Sequence, residues 1–421
     1  MRLQSTFGDD SHSIDKVILW NIGSLVLHRN AINFRLPTSV AIGDVSRIYS
    51  QAWAFGENTK DFFLYNSTYH YFDLETFIFA QSIKDFNIEE SRFGTATKVG
   101  NDPNPTILEL GYLDGQMVDS FKIINTTFDK FLEGNFIKVN SHVVDLSGNS
   151  FELSKKDVFH LKGVEIIIQA NRMVLLGSKA SFHVDGVNIS FTENRIYGKN
   201  QNLIQIIPFN SLLIRENDIF DQNFEILELL FPETEVSRVS IINSDFGRLT
   251  SSFLNVLSDT VVIQGSSLSL DNEDIFFIET RNLFLTNNTF QEIKTGAIKS
   301  NVMDSVLIAD NSFDHPQREC FFFIEPIGNM TTMLISGNRF ENVENGFLKL
   351  NPGSIKALED GRLSFGSINL KKSCSCSIAH DLIVPDKLSN LNNSQHENDE
   401  HNILEDAIKE NIVCISNGKH I

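Results

Sequence analysis

Met333-Leu334-Ile335-Ser336-Gly337-Asn338-Arg339-Phe340 reads as apolar, x, apolar, x, x, Asn, x, large apolar. The same eight-residue frame recurs about every 22 residues along most of the 421-residue chain. Its last residue, the anchor, falls at Ile32, Tyr69, Phe93, Phe128, Phe151, Met173, Ile196, Ile219, Phe246, Leu268, Phe290, Phe313 and Phe340. Self-similarity at this period is the signature of a solenoid, in which each short repeat buries its apolar face only against its neighbours.

Seven and five residues before each anchor the frame is apolar, as in Leu25/Leu27, Phe86/Ile88, Val144/Leu146 and Leu283/Leu285. Alternation with a period of two marks a strand with one buried face. Two residues before the anchor stands Asn30, Asn149, Asn171, Asn194, Asn217, Asn288, Asn311 or Asn338, and Ser67, Ser91, Thr126, Ser244 or Ser266 in the other frames. Short side chains that donate and accept satisfy the backbone of a turn or stack in a ladder. Eight and ten residues after most anchors comes a second alternating pair, such as Val40/Ile42, Phe159/Leu161, Phe276/Ile278 and Leu348/Leu350. Each repeat is therefore strand, Asn turn, anchor, short connection, strand and corner, and the 35 Phe residues fill stacked internal columns.

The frame also fits the leucine-rich repeat, which wants an apolar residue ten before the anchor. Those positions here include Thr59, Gly163, Gly186, Ser258 and Thr280, and the second pair is a strand rather than a helical arc. Both features favour an all-β, right-handed parallel β-helix of about thirteen coils over residues 17–370, with the leucine-rich repeat solenoid as the alternative. Residues 371–421 form a Cys-containing cap and a polar tail. Ile403–Ile412 reads as a short amphipathic helix, and Ser354–Leu370 as a degenerate coil closing the core. Insertions are expected at the corner before the frame: Gly43–Asp61 with Trp53, Leu230–Arg238, Ile324–Thr332 and part of the 35-residue repeat.

The Asn ladder beside aliphatic and Phe columns resembles the pectate-lyase-like β-helix superfold. The unit typified by Leu283–Ile298, with Cys374-x-Cys376 at the end, is similar to secreted animal β-helix repeat proteins of no assigned activity. The resemblance covers roughly residues 17–376, and its repetitive motifs specify fold better than function. The Cys-x-Cys ending also resembles the C-terminal flank of extracellular leucine-rich repeat proteins. Polygalacturonase-like members of the superfold carry clustered Asp, a Gly-His-Gly and an Arg-x-Lys, and none of these strings is present.

A net charge of −19 argues against binding a phosphate backbone, so no nucleic acid partner is expected. No apolar run is long enough for a transmembrane helix, and no signal peptide pattern opens the sequence. Six Asn-x-Ser/Thr sequons, at Asn66, Asn125, Asn188, Asn287, Asn329 and Asn392, nevertheless suit a secreted glycoprotein whose leader is missing. Cys320, Cys374, Cys376 and Cys414 are disulfide candidates, with three connectivities open. No Cys/His grouping has metal-site spacing, and no cofactor is implied. Glu193 and Glu216 recur one repeat apart with Arg195 and Arg215 near them, which reads as a charge-compensated surface cluster rather than an acid/base pair.

The residue six before each anchor, between two inward neighbours, points out. In the first half this column includes Asn87, Lys122, Asp145 and Ser190; in the second it runs Leu213, Ser240, Val262, Phe284, Leu307 and Leu334. An exposed apolar stripe of this kind is a contact surface. The expected function is a non-enzymatic extracellular structural or recognition protein, binding a protein or glycan partner or a second copy through this stripe, the corner loops and Trp53. The alternatives are a polysaccharide lyase or glycoside hydrolase and a leucine-rich repeat receptor ectodomain.

Overall fold

The computed structural model describes residues 2–3, 16–27, 33–34, 39–50, 54–55, 60–72, 83–94, 108–111, 117–131, 137–153, 159–175, 181–198, 203–220, 227–231, 236–249, 254–270, 276–291, 298–314, 322–326, 332–341, 348–350, 360–365, 368–372, 382–383, 412–416 and 419–420. No helix occurs among them. The chain divides into two compact units, Met1–Phe209 with Asn217–Ile226, and Asn210–Glu216 with Leu227–Ile421. Each is a parallel β-solenoid.

In the first unit, frame strands pair in register from Lys16–Trp20 through Ser39–Gly43, Asp61–Tyr65, Asp85–Glu89 and Val118–Ile124 to Ile137–Ser147, Phe159–Gln169 and Ser181–Thr192. The second unit repeats the pattern from Ser211–Arg215 through Val236–Ile242, Leu254–Gln264, Phe276–Thr286 and Ile298–Ala309 to Thr332–Ser336 and Leu363–Phe365. The stacking of both strand types is a β-helix and not the leucine-rich repeat arrangement. The described coils number eight in the first unit and seven in the second, not thirteen.

The count differs at both ends. Leu25/Leu27 belongs to the anchor sheet, where Leu25 pairs with Ile48, and is not a frame pair. The true first frames are Val17/Leu19 and Val40/Ile42, the latter in register with Phe62/Leu64. Their rung positions hold Ile22 and Val45, so the polar marker is missing, and Asn30-x-Ile32 mimics it further on. Asn30 itself lies outside the described residues. The 37-residue spacing is thus an overlooked coil, and Gly43–Asp61 is not an insertion. At the other end, Leu363–Phe365 and Ile368–Lys372 do form the degenerate closing coil, pairing with Met333–Ile335 and Arg339–Glu341. Ile412–Ser416 adds a further strand, with Cys414 at the register position of Leu370.

In several described coils the second strand of one repeat runs without a break into the frame strand of the next, as in Ile137–Ser147, Phe159–Gln169 and Phe276–Thr286. Ile137–Ser147 carries both apolar pairs, with Ile137, Val139 and Ser141 inward, then Val144 and Leu146. The step of three between Ser141 and Val144 shifts the inward phase and turns a corner without a loop. The corner column holds Ser141, Gly163 and Gly186 in register. A Cβ on Gly163 would lie 2.8 Å from the Ser141 carbonyl oxygen, and one on Gly186 2.8 Å from Ile189 Cγ1, which explains the small residues. Ser141, Ser258 and Thr280 each donate their hydroxyl to a carbonyl two residues on. The long spacings do break the strand at this corner, between Leu108–Leu110 and Val118–Ile124, Leu227–Leu230 and Val236–Ile242, and Phe322–Pro326 and Thr332–Ser336.

After each described frame except the last, Leu363–Phe365, which is followed by residues outside the described ones, one residue adopts positive φ. The first unit has Asn21, Asp44, Asn66, Glu90, Asn125, Gly148, Ala170 and Glu193, and the second Glu216, Asn243, Gly265, Asn287, Asp310 and Gly337. A single left-handed residue swings the chain from the frame sheet into the anchor sheet. Inside, Phe93 stacks on Phe128 at 4.8 Å and Phe128 on Phe151 at 5.1 Å, while Phe290 stacks on Phe313 at 4.9 Å. These separations match the strand spacing of about 4.8 Å, so register alone places ring on ring. Fully burying each such side chain contributes about 1.5–3 kcal/mol.

Candidate recognition surface

The inside of the turn is closed by the rung residues. Asn149, Asn171, Asn194 and Asn217 in the first unit, and Asn288, Asn311 and Asn338 in the second, are all at most 1% exposed. The Oδ1 of Asn194 accepts the backbone N–H and the Nδ2–H of Asn171, each at 3.0 Å. Its own Nδ2 donates to the Ile168 carbonyl at 2.8 Å and to Asn217 Oδ1 at 3.0 Å. Both donors and both acceptor sites of the amide are used, which is what a buried amide requires. The ladder is structural, and its complete pairing leaves no group free for a ligand.

The outer column is where side chains are available. In the second unit Leu213, Ser240, Val262, Phe284, Leu307 and Leu334 stand in consecutive register. Leu334 is 39% exposed, and Leu213, Val262, Phe284 and Leu307 are half-buried. Ser240 is buried and accepts a hydrogen bond from Arg238 Nε at 2.9 Å, so the stripe is notched at that rung. Its flanking columns carry polar rungs such as Thr260, Asn282 and Ser305 on one side and Gln264 and Thr286 on the other. Trp53 lies outside the described residues.

The same column in the first unit is mixed, running through Phe63, Asn87, Lys122, Asp145 and Ile167. A second cluster there was not singled out from the sequence. His160 and His183 stack with ring centroids 4.7 Å apart, and His183 Nδ1 lies 2.9 Å from Gln205 Oε1. Lys162 and Asp185 are register partners two residues on. Burial raises the Asp185 pKa above the usual carboxylate value, against the opposing pull of Lys162, His183 and His160. Twenty-three residues separate the two His in sequence, so each looked like a lone His until the strands were aligned.

The sequons sort by position. Asn66, Asn125 and Asn287 are exposed left-handed turn residues. Asn188 is half-buried on a strand, with its Nδ2 donating to Glu165 Oε1 at 2.6 Å. Asn329 and Asn392 lie outside the described residues, as do Cys320, Cys374 and Cys376. The turn itself writes the motif: a left-handed position that favours Asn, then a rung of Ser, Thr or Asn, then a Thr opening the anchor strand. Glu193 and Glu216 are also left-handed residues. Glu193 accepts from Gln169 Nε2 at 3.1 Å, and Glu216 lies 3.8 Å from Arg215 Nε.

Among the described residues no three His, Cys, Asp or Glu side chains converge as a metal-binding group, and no helix is long and apolar enough to cross a membrane, which says nothing of β-barrels. No protein-family model, curated protein or solved structure matches the chain.

Proposed function

We propose that the chain is a non-enzymatic extracellular recognition scaffold that contacts a protein partner through the outer face of its second unit. The observation that carries this reading is the register of Val262, Phe284, Leu307 and Leu334 in one half-exposed apolar column. Parallel stacking repeats one side-chain position at each rung, so a single apolar choice per repeat becomes a continuous strip. Polar columns on both sides give that strip the apolar-core, polar-rim layout of a contact surface. The exposed turn asparagines within sequons support a secretory route, and glycans there would keep the turn ridge free of other contacts.

The test is a Phe284→Lys, Leu307→Lys double variant of the full chain. Sedimentation velocity and pull-down from extracellular fluid should show self-association or a stoichiometric partner with the native chain, and loss of it with the variant at an unchanged melting temperature. A native chain that stays monomeric at high concentration and retains nothing stoichiometrically sinks the reading.

A further inference from the structure

The first unit carries a different outward surface, and the inference from it does not rest on the apolar stripe. Trp20, Gly43 and Tyr65 occupy one outer column on consecutive coils. A Cβ built on Gly43 would fall 2.4 Å from both Cη2 and Cζ3 of Trp20 and 2.6 Å from Cε3. Near-equal distances to three successive ring atoms place that point above the face of the six-membered ring, not beside its edge. The indole therefore lies flat on the sheet over Gly43, with its other face turned outward, and it is 39% exposed. Only glycine leaves room for it.

Tyr65 continues the plane. Its ring lies within 14° of the Trp20 plane with centroids 6.0 Å apart, and Phe63 lies within 10° of Tyr65 at 6.1 Å. Both pairs are near-parallel and offset, so the exposed face of Trp20 is continued by two rings of like orientation. The Tyr65 hydroxyl donates to the Glu90 carboxylate, which fixes the ring and raises the phenol pKa above its ordinary value. Around the rings stand Asp44, whose Oδ1 accepts from Asn66 Nδ2 at 2.8 Å, and Glu89, whose Oε1 accepts from Asn87 Nδ2 at 2.8 Å. Each carboxylate keeps further lone pairs for incoming hydroxyls.

We propose that Trp20, Tyr65 and Phe63 form a binding platform for an uncharged oligosaccharide. Sugar rings present flat C–H faces to aromatic faces and direct their hydroxyls to the rim, where carboxylates accept them. Three acidic side chains exclude uronates and other anionic sugars. The rings are near-parallel and form no aromatic box, and a cationic peptide, which a single ring face also attracts, is the competing occupant that the test separates.

The experiment titrates the full chain with hexasaccharides of β-1,4-linked glucose, mannose and N-acetylglucosamine by calorimetry and Trp fluorescence. Oligogalacturonate and a hexa-arginine peptide serve as comparisons. At least one neutral hexasaccharide should bind, with affinity falling tenfold or more in Trp20→Ala and in Phe63→Ser, while hexa-arginine and oligogalacturonate bind more weakly than that sugar. The two variants guard against loss of fold at either position, and melting curves identify the one to read. The proposal is overturned if no neutral hexasaccharide binds, if affinity in the folded variant stays within twofold of native, or if hexa-arginine binds more tightly than every sugar.

Discussion

Two stretches of the same ladder solve one problem differently. From Ser67 to Thr126 the rungs are hydroxyls; from Asn149 to Asn217 they are amides. Both accept the backbone N–H of the preceding coil: Ser67 N–H donates to Ser91 Oγ at 3.2 Å, and Asn149 N–H to Asn171 Oδ1 at 3.0 Å. The difference lies in the donor. Ser91 Oγ turns back to the carbonyl of Glu89, two residues away in its own coil. Asn171 Nδ2 reaches the Leu146 carbonyl of the preceding coil and also Asn194 Oδ1 of the next. A hydroxyl rung joins two coils once, whereas an amide rung joins three. The second unit repeats the order, with Ser244 and Ser266 before Asn288, Asn311 and Asn338. Hydroxyl rungs leading into amide rungs is thus a property of the design in both units.

The largest expected effect tests that contrast directly. Asn194→Ala strands the N–H and Nδ2–H of Asn171 and the Ile168 carbonyl, all in a site closed to water. With each buried orphan costing about 1–3 kcal/mol, the loss should be about 3–5 kcal/mol by urea denaturation. Ser91→Ala strands only the Ser67 N–H, for about 1–2 kcal/mol. Equal losses in the two variants would break the comparison.

The turn residue before each rung offers a smaller test with opposite signs. Gly148 has φ +69°, and an added Cβ would meet Asn125 Oδ1 at 2.3 Å. Ala170 holds the same conformation at φ +55° one coil on, within the amide run. Gly148→Ala should destabilise by about 1–2 kcal/mol through left-handed strain. Ala170→Gly should stabilise by less than about 1 kcal/mol, since relief of strain is partly offset by a freer unfolded chain. Thermal melts of the two variants should move in opposite directions.

The ladder was legible in the sequence because Asn recurs where few residues serve: short enough for the turn, with a donor and acceptor on one group. The parallel stack and the outward stripe ending at Leu334 followed from that register. What escaped notice lacked a polar mark or was read from the wrong neighbour. Ile22 and Val45 occupy rungs without an amide, so the repeat pattern merges two coils and sets a rung at Asn30. Gly163 and Ser258 count only against a leucine-rich repeat, because a bend that shifts the inward phase leaves no periodic signal of a continuous strand. Trp20 over Gly43 was invisible because a ring lying across one coil onto the next has no pattern within either.

Inward, polar groups are satisfied by stacking identical amides; outward, the same coils stack unlike charges, and the outcome is less complete. Asp185, the register partner of Lys162 and two residues on from His183, is half-buried, and desolvation raises its pKa against the opposing pull of Lys162, His183 and His160. A carboxyl with a folded pKa above its unfolded value binds protons more readily in the fold. Stability should then rise as pH falls from neutral through that raised pKa toward the unfolded value, and the penalty is fully present above it. Asp185→Asn removes the titration. The variant should melt higher than the native chain at pH 7, by under about 1 kcal/mol once solvent screening is allowed for. The gap should close below the unfolded carboxylate pKa. A native chain that melts higher at pH 7 would mean that Lys162 and the His pair outweigh burial, making the outer stack as well compensated as the ladder within.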